Sequence, residues 1–157
     1  MKVIHLISGG DSGGAKTHVL SLLQHLNQTI TAQLVCFRDG LFAEEARQMG
    51  IPTMICGGNN VFRTRRKLAA YIREGGYEII HCHGSRANMI GAMLRKVTGL
   101  PVVTTVHSDY RLDYMGRPLR HLTFGTINAL ALRRLDYRIG VSDAMVDLLI
   151  SRGFPAD

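Results

Sequence analysis

This sequence predicts a doubly wound α/β fold with a parallel sheet, and three observations lead there. Six short apolar runs alternate with longer amphipathic stretches along the 157 residues. Several runs are apolar on successive residues, as at Val102-Val103, which suits strands covered on both faces. The first run ends in a glycine loop, Ser8-Gly9-Gly10-Asp11-Ser12-Gly13-Gly14, and a helix pattern follows at once. Repeated β-α units of this kind form one parallel sheet, here in a single domain over residues 1–157.

The first strand, Lys2–Ile7, opens into that loop, whose four glycines in six positions let backbone approach a ligand without an intervening Cβ. The first helix, Gly13–Asn27, sets Ala15, Val19, Leu22, Leu23 and Leu26 at spacings of three and four, the stripe of a sheet-covering helix. Strand Ala32–Phe37 leads to helix Leu41–Met49, and strand Pro52–Cys56 to helix Val61–Arg73. Strand Glu78–Cys82 leads to helix Ser85–Thr98. The fifth strand, Pro101–Val106, breaks the rhythm. A longer loop from Ser108 to Arg117, with Asp109, Tyr110, Arg111, Asp113 and Tyr114, precedes helix Pro118–Leu135. Strand Tyr137–Val141 and a helix from Ser142 to about Arg152 complete the pattern.

Composition narrows the function classes. A hydrophobic content of 46% with 20% charged residues is globular. No apolar run approaches the roughly 20 residues a bilayer crossing needs. Met1-Lys2 lead directly into the first strand, so no signal peptide is expected. Cys36, Cys56 and Cys82 lie on or beside apolar strand patterns and are expected as reduced core thiols of a cytoplasmic protein. The net charge of +7, from 15 Arg and 4 Lys against 12 acids, favours anionic partners. Nucleic acid ranks low among them, because no helix-turn-helix, zinc-finger spacing or aromatic RNA-binding signature is present.

Ligands of doubly wound sheets bind beyond the carboxyl ends of the strands. Those ends carry Ser8–Gly14, Arg38-Asp39-Gly40, Gly57–Asn60, His83-Gly84-Ser85, His107-Ser108-Asp109 and Ser142-Asp143. The set is polar and rich in Gly and His. In the first loop, glycines followed by a helix N-terminus make an anion site. It is not a P-loop: Ala15 stands between Gly14 and Lys16-Thr17, which turns the lysine about 100° around the helix. Nor is it G-x-G-x-x-G, since Asp11 stands where the second glycine should be. Asp39 could still serve a ribose hydroxyl and Arg38 a 2′-phosphate, which keeps a dinucleotide-dependent oxidoreductase open. A non-catalytic anion-binding module is a further alternative.

Gly13-Gly14-Ala15, followed by His18-Val19 and Leu22, resembles the opening of the family 4 (group 1) glycosyltransferases. The likeness continues at Tyr77-Glu78-Ile79-Ile80-His81-Cys82-His83, at Pro101-Val102-Val103-Thr104-Thr105-Val106-His107-Ser108 and at Ile139-Gly140-Val141-Ser142. The resemblance implies the GT-B architecture of two Rossmann-like domains, with this chain as the amino-terminal, acceptor-binding half. Its implied chemistry is glycosyl transfer with retention, usually without a metal and with no cofactor beyond a nucleotide-diphosphate sugar donor. Gly13 and Gly14 are implied to face the donor diphosphate or sugar. His107 is implied to contact the donor sugar at the reaction centre. His83, Ser108, Arg111 and Ser142 complete the expected substrate-binding set.

His81 and His83 point to one face of their strand, a spacing that also suits metal ligands, but no third ligand is fixed by spacing and the resemblance offers no metal. His81 is therefore expected in the core or behind the site, and His83 at the cleft. His18 and His25 lie on one side of the first helix, with His18 bracing the loop. Arg111, Arg117 and Arg120 surround the presumed acceptor cleft, while Arg133 and Arg134 end a helix where positive charge suits the dipole. Arg63, Arg65, Arg66 and Lys67 form a second cluster, read as a solvated face or as a contact for acceptor phosphate or anionic lipid. Expected partners are thus a nucleotide-sugar donor, a carbohydrate, lipid or small-molecule acceptor, and the inner face of a membrane. The family's pair of glutamates seven residues apart belongs to the second domain, and Glu44, Glu45, Glu74 and Glu78 do not reproduce it. The carboxy-terminal donor-binding domain is absent from this chain, which by itself is expected to have no transferase activity.

Overall fold

A computed structural model describes residues 1–10, 14–109 and 126–156. The strands are β1 (Lys2–Ile7), β2 (Thr31–Cys36), β3 (Thr53–Ile55), β4 (Ile79–His83), β5 (Val102–Val106) and β6 (Tyr137–Gly140). The helices between and after them are α1 (Gly14–Leu26), α2 (Leu41–Gln48), α3 (Val61–Gly75), α4 (Ser85–Thr98), α5 (Thr126–Arg134) and α6 (Asp143–Ser151). All five strand pairings are parallel, in the order β3-β2-β1-β4-β5-β6. The expected doubly wound, Rossmann-like sheet is therefore present, and its order reverses between β1 and β4. That reversal opens a crevice at the carboxyl edge.

Each face of the sheet has its own core. Val19, Leu20 and Leu23 of α1 and Phe42, Ala43 and Ala46 of α2 pack with Ile7, Leu34 and Cys36. Leu68 and Ile72 of α3, Ile90 and Leu94 of α4 and Leu132 of α5 pack with Ile4, Leu6, Ile80 and Cys82 on the other face. The α1 stripe includes Leu20, which spacing had not placed there, while Leu22 is only half-buried. Cys36, Cys56 and Cys82 are all buried and none forms a disulfide, as expected for core thiols.

Gly9 shows what the first loop demands. It has φ +85°, and a Cβ there would stand 2.6 Å from the Arg38 carbonyl oxygen. This glycine lets the loop after β1 pass close to the loop after β2. Lys16 pairs with Glu45 of α2 instead of folding back over the loop, which accords with the absence of P-loop geometry. The predicted helix from Pro118 begins, among the described residues, with α5 at Thr126. The segment carrying Tyr110, Arg111, Asp113, Tyr114, Arg117 and Arg120 lies outside the described residues, as do Asp11, Ser12 and Gly13. Asp109, at the start of that loop, forms an ion pair with Arg152 just beyond α6. No described helix is long and apolar enough to cross a membrane.

Candidate functional site

A cavity of about 410 Å³ occupies the crevice at the switch point of the sheet. Ile7 and Ser8 reach it from β1, His83 and Gly84 from β4, and Thr105, Val106, His107 and Ser108 from β5. The start of α1 supplies Ala15, the first turn of α4 supplies Ser85, Arg86 and Asn88, and α5 supplies Asn128 and Leu132. Its size lies within the roughly 300–1,000 Å³ usual for small-molecule sites. Of the sequence-predicted residues, His83, His107 and Ser108 meet here. Gly14 opens α1 beside Ala15, and a Cβ on it would meet no described atom within 4 Å. Ser142 does not join them. Its hydroxyl accepts a hydrogen bond from the Met145 N–H at 3.3 Å and caps α6. Gly13 and Arg111 lie outside the described residues.

A run of histidines leads from the middle of the sheet to this cavity. Register sets His5 beside His81 and Ile7 beside His83, and all three rings lie on the face that carries α1. Ring centroids are 4.7 Å apart for His5 and His81, 4.4 Å for His81 and His83, and 5.8 Å for His83 and His107. His18 of α1 meets His107 edge-on at 5.1 Å. His5 Nδ1 and His83 Nε2 share a hydrogen bond of 3.1 Å, and His81 Nε2 one of 2.8 Å with the Thr105 hydroxyl. Burial holds His5 and His83 well below the ordinary imidazole value, with neighbouring histidines adding to it. Burial, then His107 and His18, brings His81 down to about 4. His107, half-buried, is lowered by burial and then by His18. His5, His81, His83 and His107 are therefore neutral at pH 7, and the Nε2 atoms of His5 and His107 and Nδ1 of His83 are buried with no hydrogen-bond partner among the described residues.

Three of these rings are close enough to raise the question of a metal. One nitrogen from each of His5, His81 and His83 lies within 4.8 Å of the others. The planes argue against a tetrahedral ion in this arrangement. His5 and His83 stack at 11°, and His81 and His83 at 25°. A nitrogen lone pair lies in its ring plane, so His81 and His83, stacked with centroids 4.4 Å apart, cannot both aim at one centre. The His5–His83 hydrogen bond also occupies two of the nitrogens.

The floor of the cavity is a second polar device. The Thr104 hydroxyl donates to Asn88 Oδ1 at 2.6 Å, and Asn88 Nδ2 donates to Asn128 Oδ1 at 3.1 Å. These buried bonds fasten β5, α4 and α5 together under the site. Sequence reading passed over His5, Arg86, Asn88 and Asn128. His5 had a signal, being polar at mid-strand in an otherwise apolar run, but its partners depend on strand order. The two asparagines look like ordinary polar helix positions until α4 and α5 are packed. Asp39, the residue on which dinucleotide binding would rest, accepts from its neighbour Gly40 N–H and pairs with Arg47 at 3.3 Å.

A family model described as Glycosyltransferase Family 4 matches residues 12–157. No curated protein sequence matches this one. Among solved structures, HepE of Anabaena in complex with UDP-glucose is similar at 20% identity and a TM-score of 0.80, over 99% of this chain and 42% of that one. The lipopolysaccharide outer core galactosyltransferase WaaB, in its apo form, is similar at 18% identity and a TM-score of 0.68, over 99% of this chain and 43% of that one. MurG of Acinetobacter baumannii is similar at 14% identity and a TM-score of 0.67, over 100% of this chain and 44% of that one. This chain thus spans less than half the length of the structures it matches.

Proposed function

Because this chain belongs to glycosyltransferase family 4, we propose that it is the acceptor-binding domain of an enzyme that transfers a sugar from a nucleotide-diphosphate donor. The observation that carries this reading is the cavity at the switch point, where His83, His107 and Ser108 converge beside the opening of α1. The UDP-glucose held by the HepE structure supports a nucleotide sugar as donor. The α1 N-terminus, with its uncrowded Gly14, faces the donor diphosphate. Its dipole meets the negative charge that develops as the anomeric carbon–oxygen bond breaks. His107, neutral and with Nε2 unpartnered, binds a hydroxyl of the transferred sugar. The acceptor oxygen attacks the anomeric carbon on the face the diphosphate leaves, so configuration is retained. The acceptor's proton departs with the diphosphate, and neither metal nor cofactor is required.

Transfer by the full-length protein from UDP-glucose and other nucleotide hexoses, read as release of the nucleoside diphosphate, tests this reading. His107→Ala should lower kcat about 100-fold, the scale of losing one preorganised transition-state contact. Unchanged kcat would remove His107 from the reaction centre. Tight binding of NAD or NADP by titration calorimetry, with no binding of UDP or UDP-glucose, would overturn the reading in favour of an oxidoreductase.

One surface feature supports contact with an anionic membrane. Phe62 is 67% exposed in the first turn of α3, among the exposed Arg63, Arg66 and Lys67. Leu41, 80% exposed, opens α2 at the same edge of the sheet. Apolar side chains among cations suit the interface of an anionic bilayer. Co-sedimentation with phosphatidylglycerol vesicles should fall at least tenfold for Phe62→Ser combined with Arg66→Gln, and equal binding by this variant would reject the contact.

A further inference from the structure

We propose that Asn88 of α4 and Asn128 of α5 bind the acceptor, and that the acceptor presents to them a polyhydroxylated ring, a sugar or a cyclitol, and not an apolar alcohol. The inference rests on the transferase reading above and names the substrate class for the same cavity.

Both asparagines line the cavity and are almost wholly buried, at 4% and 3% exposure. A chain of bonds fixes them. The buried Thr104 hydroxyl donates to Asn88 Oδ1 at 2.6 Å, and Asn88 Nδ2 donates to Asn128 Oδ1 at 3.1 Å. This chain has a direction. Each amide oxygen already accepts a bond from within the protein, so what the pair has left to offer a ligand is chiefly N–H, from Asn88 Nδ2 and above all from Asn128 Nδ2. Asn128 Nδ2 donates to no described group and, unlike the orphaned His5 and His83 nitrogens, it is not sealed from solvent. Neither amide turns without breaking a buried bond, so these donors are set in place before a ligand arrives.

The surroundings select the ligand class. The Thr105 hydroxyl, also on the lining and bonded to His81 Nε2 at 2.8 Å, both gives and takes hydrogen bonds. A ligand hydroxyl does the same, whereas an ionised carboxylate only accepts. Anions are held best by cations, and the Arg86 guanidinium is spent on the Gly58 carbonyl and the Phe37 ring, neither of which lines the cavity. Val106 and Leu132, both buried, add apolar surface to the same lining. A ring with C–H faces and hydroxyl edges uses both kinds of wall. An apolar alcohol would expel water and leave the amide N–H groups unpaired, which is how a hydrogen-bonding site rejects ligands that lack the partner group.

The test is calorimetric titration of a protein that joins this chain to a donor-binding domain, saturated with UDP. The ligands are glucose, galactose, mannose, N-acetylglucosamine and myo-inositol, with cyclohexanol and 1-octanol as apolar alcohols. One or more of the polyhydroxylated rings should bind about tenfold or more tightly than either apolar alcohol. Asn128→Asp keeps an oxygen for Asn88 Nδ2 and removes only the N–H groups. It should weaken ring binding about tenfold, the scale of one lost hydrogen bond, with affinity for UDP unchanged. Asn128→Ala should show the same loss without a new carboxylate. Absence of binding by every ring, equal or tighter binding of an apolar alcohol, or ring binding indifferent to both variants overturns the assignment and leaves the transferase reading standing. Failure of UDP itself to bind counts against that reading, and the acceptor class falls with it.

Discussion

His5 is wholly buried in the middle of β1, where a strand this central ordinarily carries an apolar side chain. Its ring is accommodated because His81 lies tilted against it at 4.7 Å and His83 shares a hydrogen bond with it. The cost of this arrangement appears when the pH falls. An unfolded histidine takes up its proton near pH 6.5, whereas His81 in the fold waits until about 4. Between those values the unfolded state binds more protons, so stability declines as pH drops and is restored as it rises. Each such histidine contributes a slope of roughly 1.4 kcal/mol per pH unit within its window. Urea midpoints should therefore hold level from pH 8 to 7 and fall steeply from pH 6.5 to 4.5. His81→Gln, whose amide can still reach Thr105, should make that decline visibly shallower, and an unaltered slope would show that His81 does not titrate as described.

At the scale of elements, the position of α4 matters most to the site. It approaches the sheet closely at Gly91, where a Cβ would meet Cys82 Sγ at 2.4 Å and Val102 Cγ1 at 3.1 Å. Gly91→Ala gains helical preference worth up to about 1 kcal/mol but overfills a packed interface, a change that typically costs about 1–3 kcal/mol. The clash should win, with a net loss measured as a lower urea midpoint. Cys82→Ala in the same chain removes the nearer obstacle and should recover most of that loss. An additive double variant would mean that helix and sheet do not meet there. The Thr104–Asn88–Asn128 chain belongs to the same scale, because it holds α5 against α4. Asn88→Leu should strand the Thr104 hydroxyl and Asn128, and destabilise by about 1–3 kcal/mol in chemical denaturation. Strand and helix positions were legible from periodicity, with ends shifted by a residue or so, as at β4, read as Glu78–Cys82 and found at Ile79–His83. The asparagine chain was not legible, since its members lie 16 and 40 residues apart and meet only when α4 and α5 pack side by side.

Over the whole molecule, chain topology makes the site. Order β3-β2-β1-β4-β5-β6 sends the crossovers after β1 and β4 to opposite faces, and the space between them becomes the cavity. Under the proposed transferase reading this cavity is one wall of a cleft, and we expect the 157-residue chain alone to release no nucleoside diphosphate from UDP-glucose while a protein that joins it to a donor-binding domain does. Turnover by the chain alone, at the full-length rate, would refute a divided active site. By itself the sequence determined the alternation of strands and helices, the glycine loop and the polar strand ends, including His83 and His107. Those are local properties, set by side-chain period, glycine backbone freedom and helix dipoles. The tertiary structure alone decided that His5 stands opposite His81, that Ser142 caps a helix rather than joining the cavity, and that Arg86 reaches the loop after β3 and bonds the Gly58 carbonyl. Register and helix docking join residues far apart in the chain, and no local pattern encodes which of them will touch.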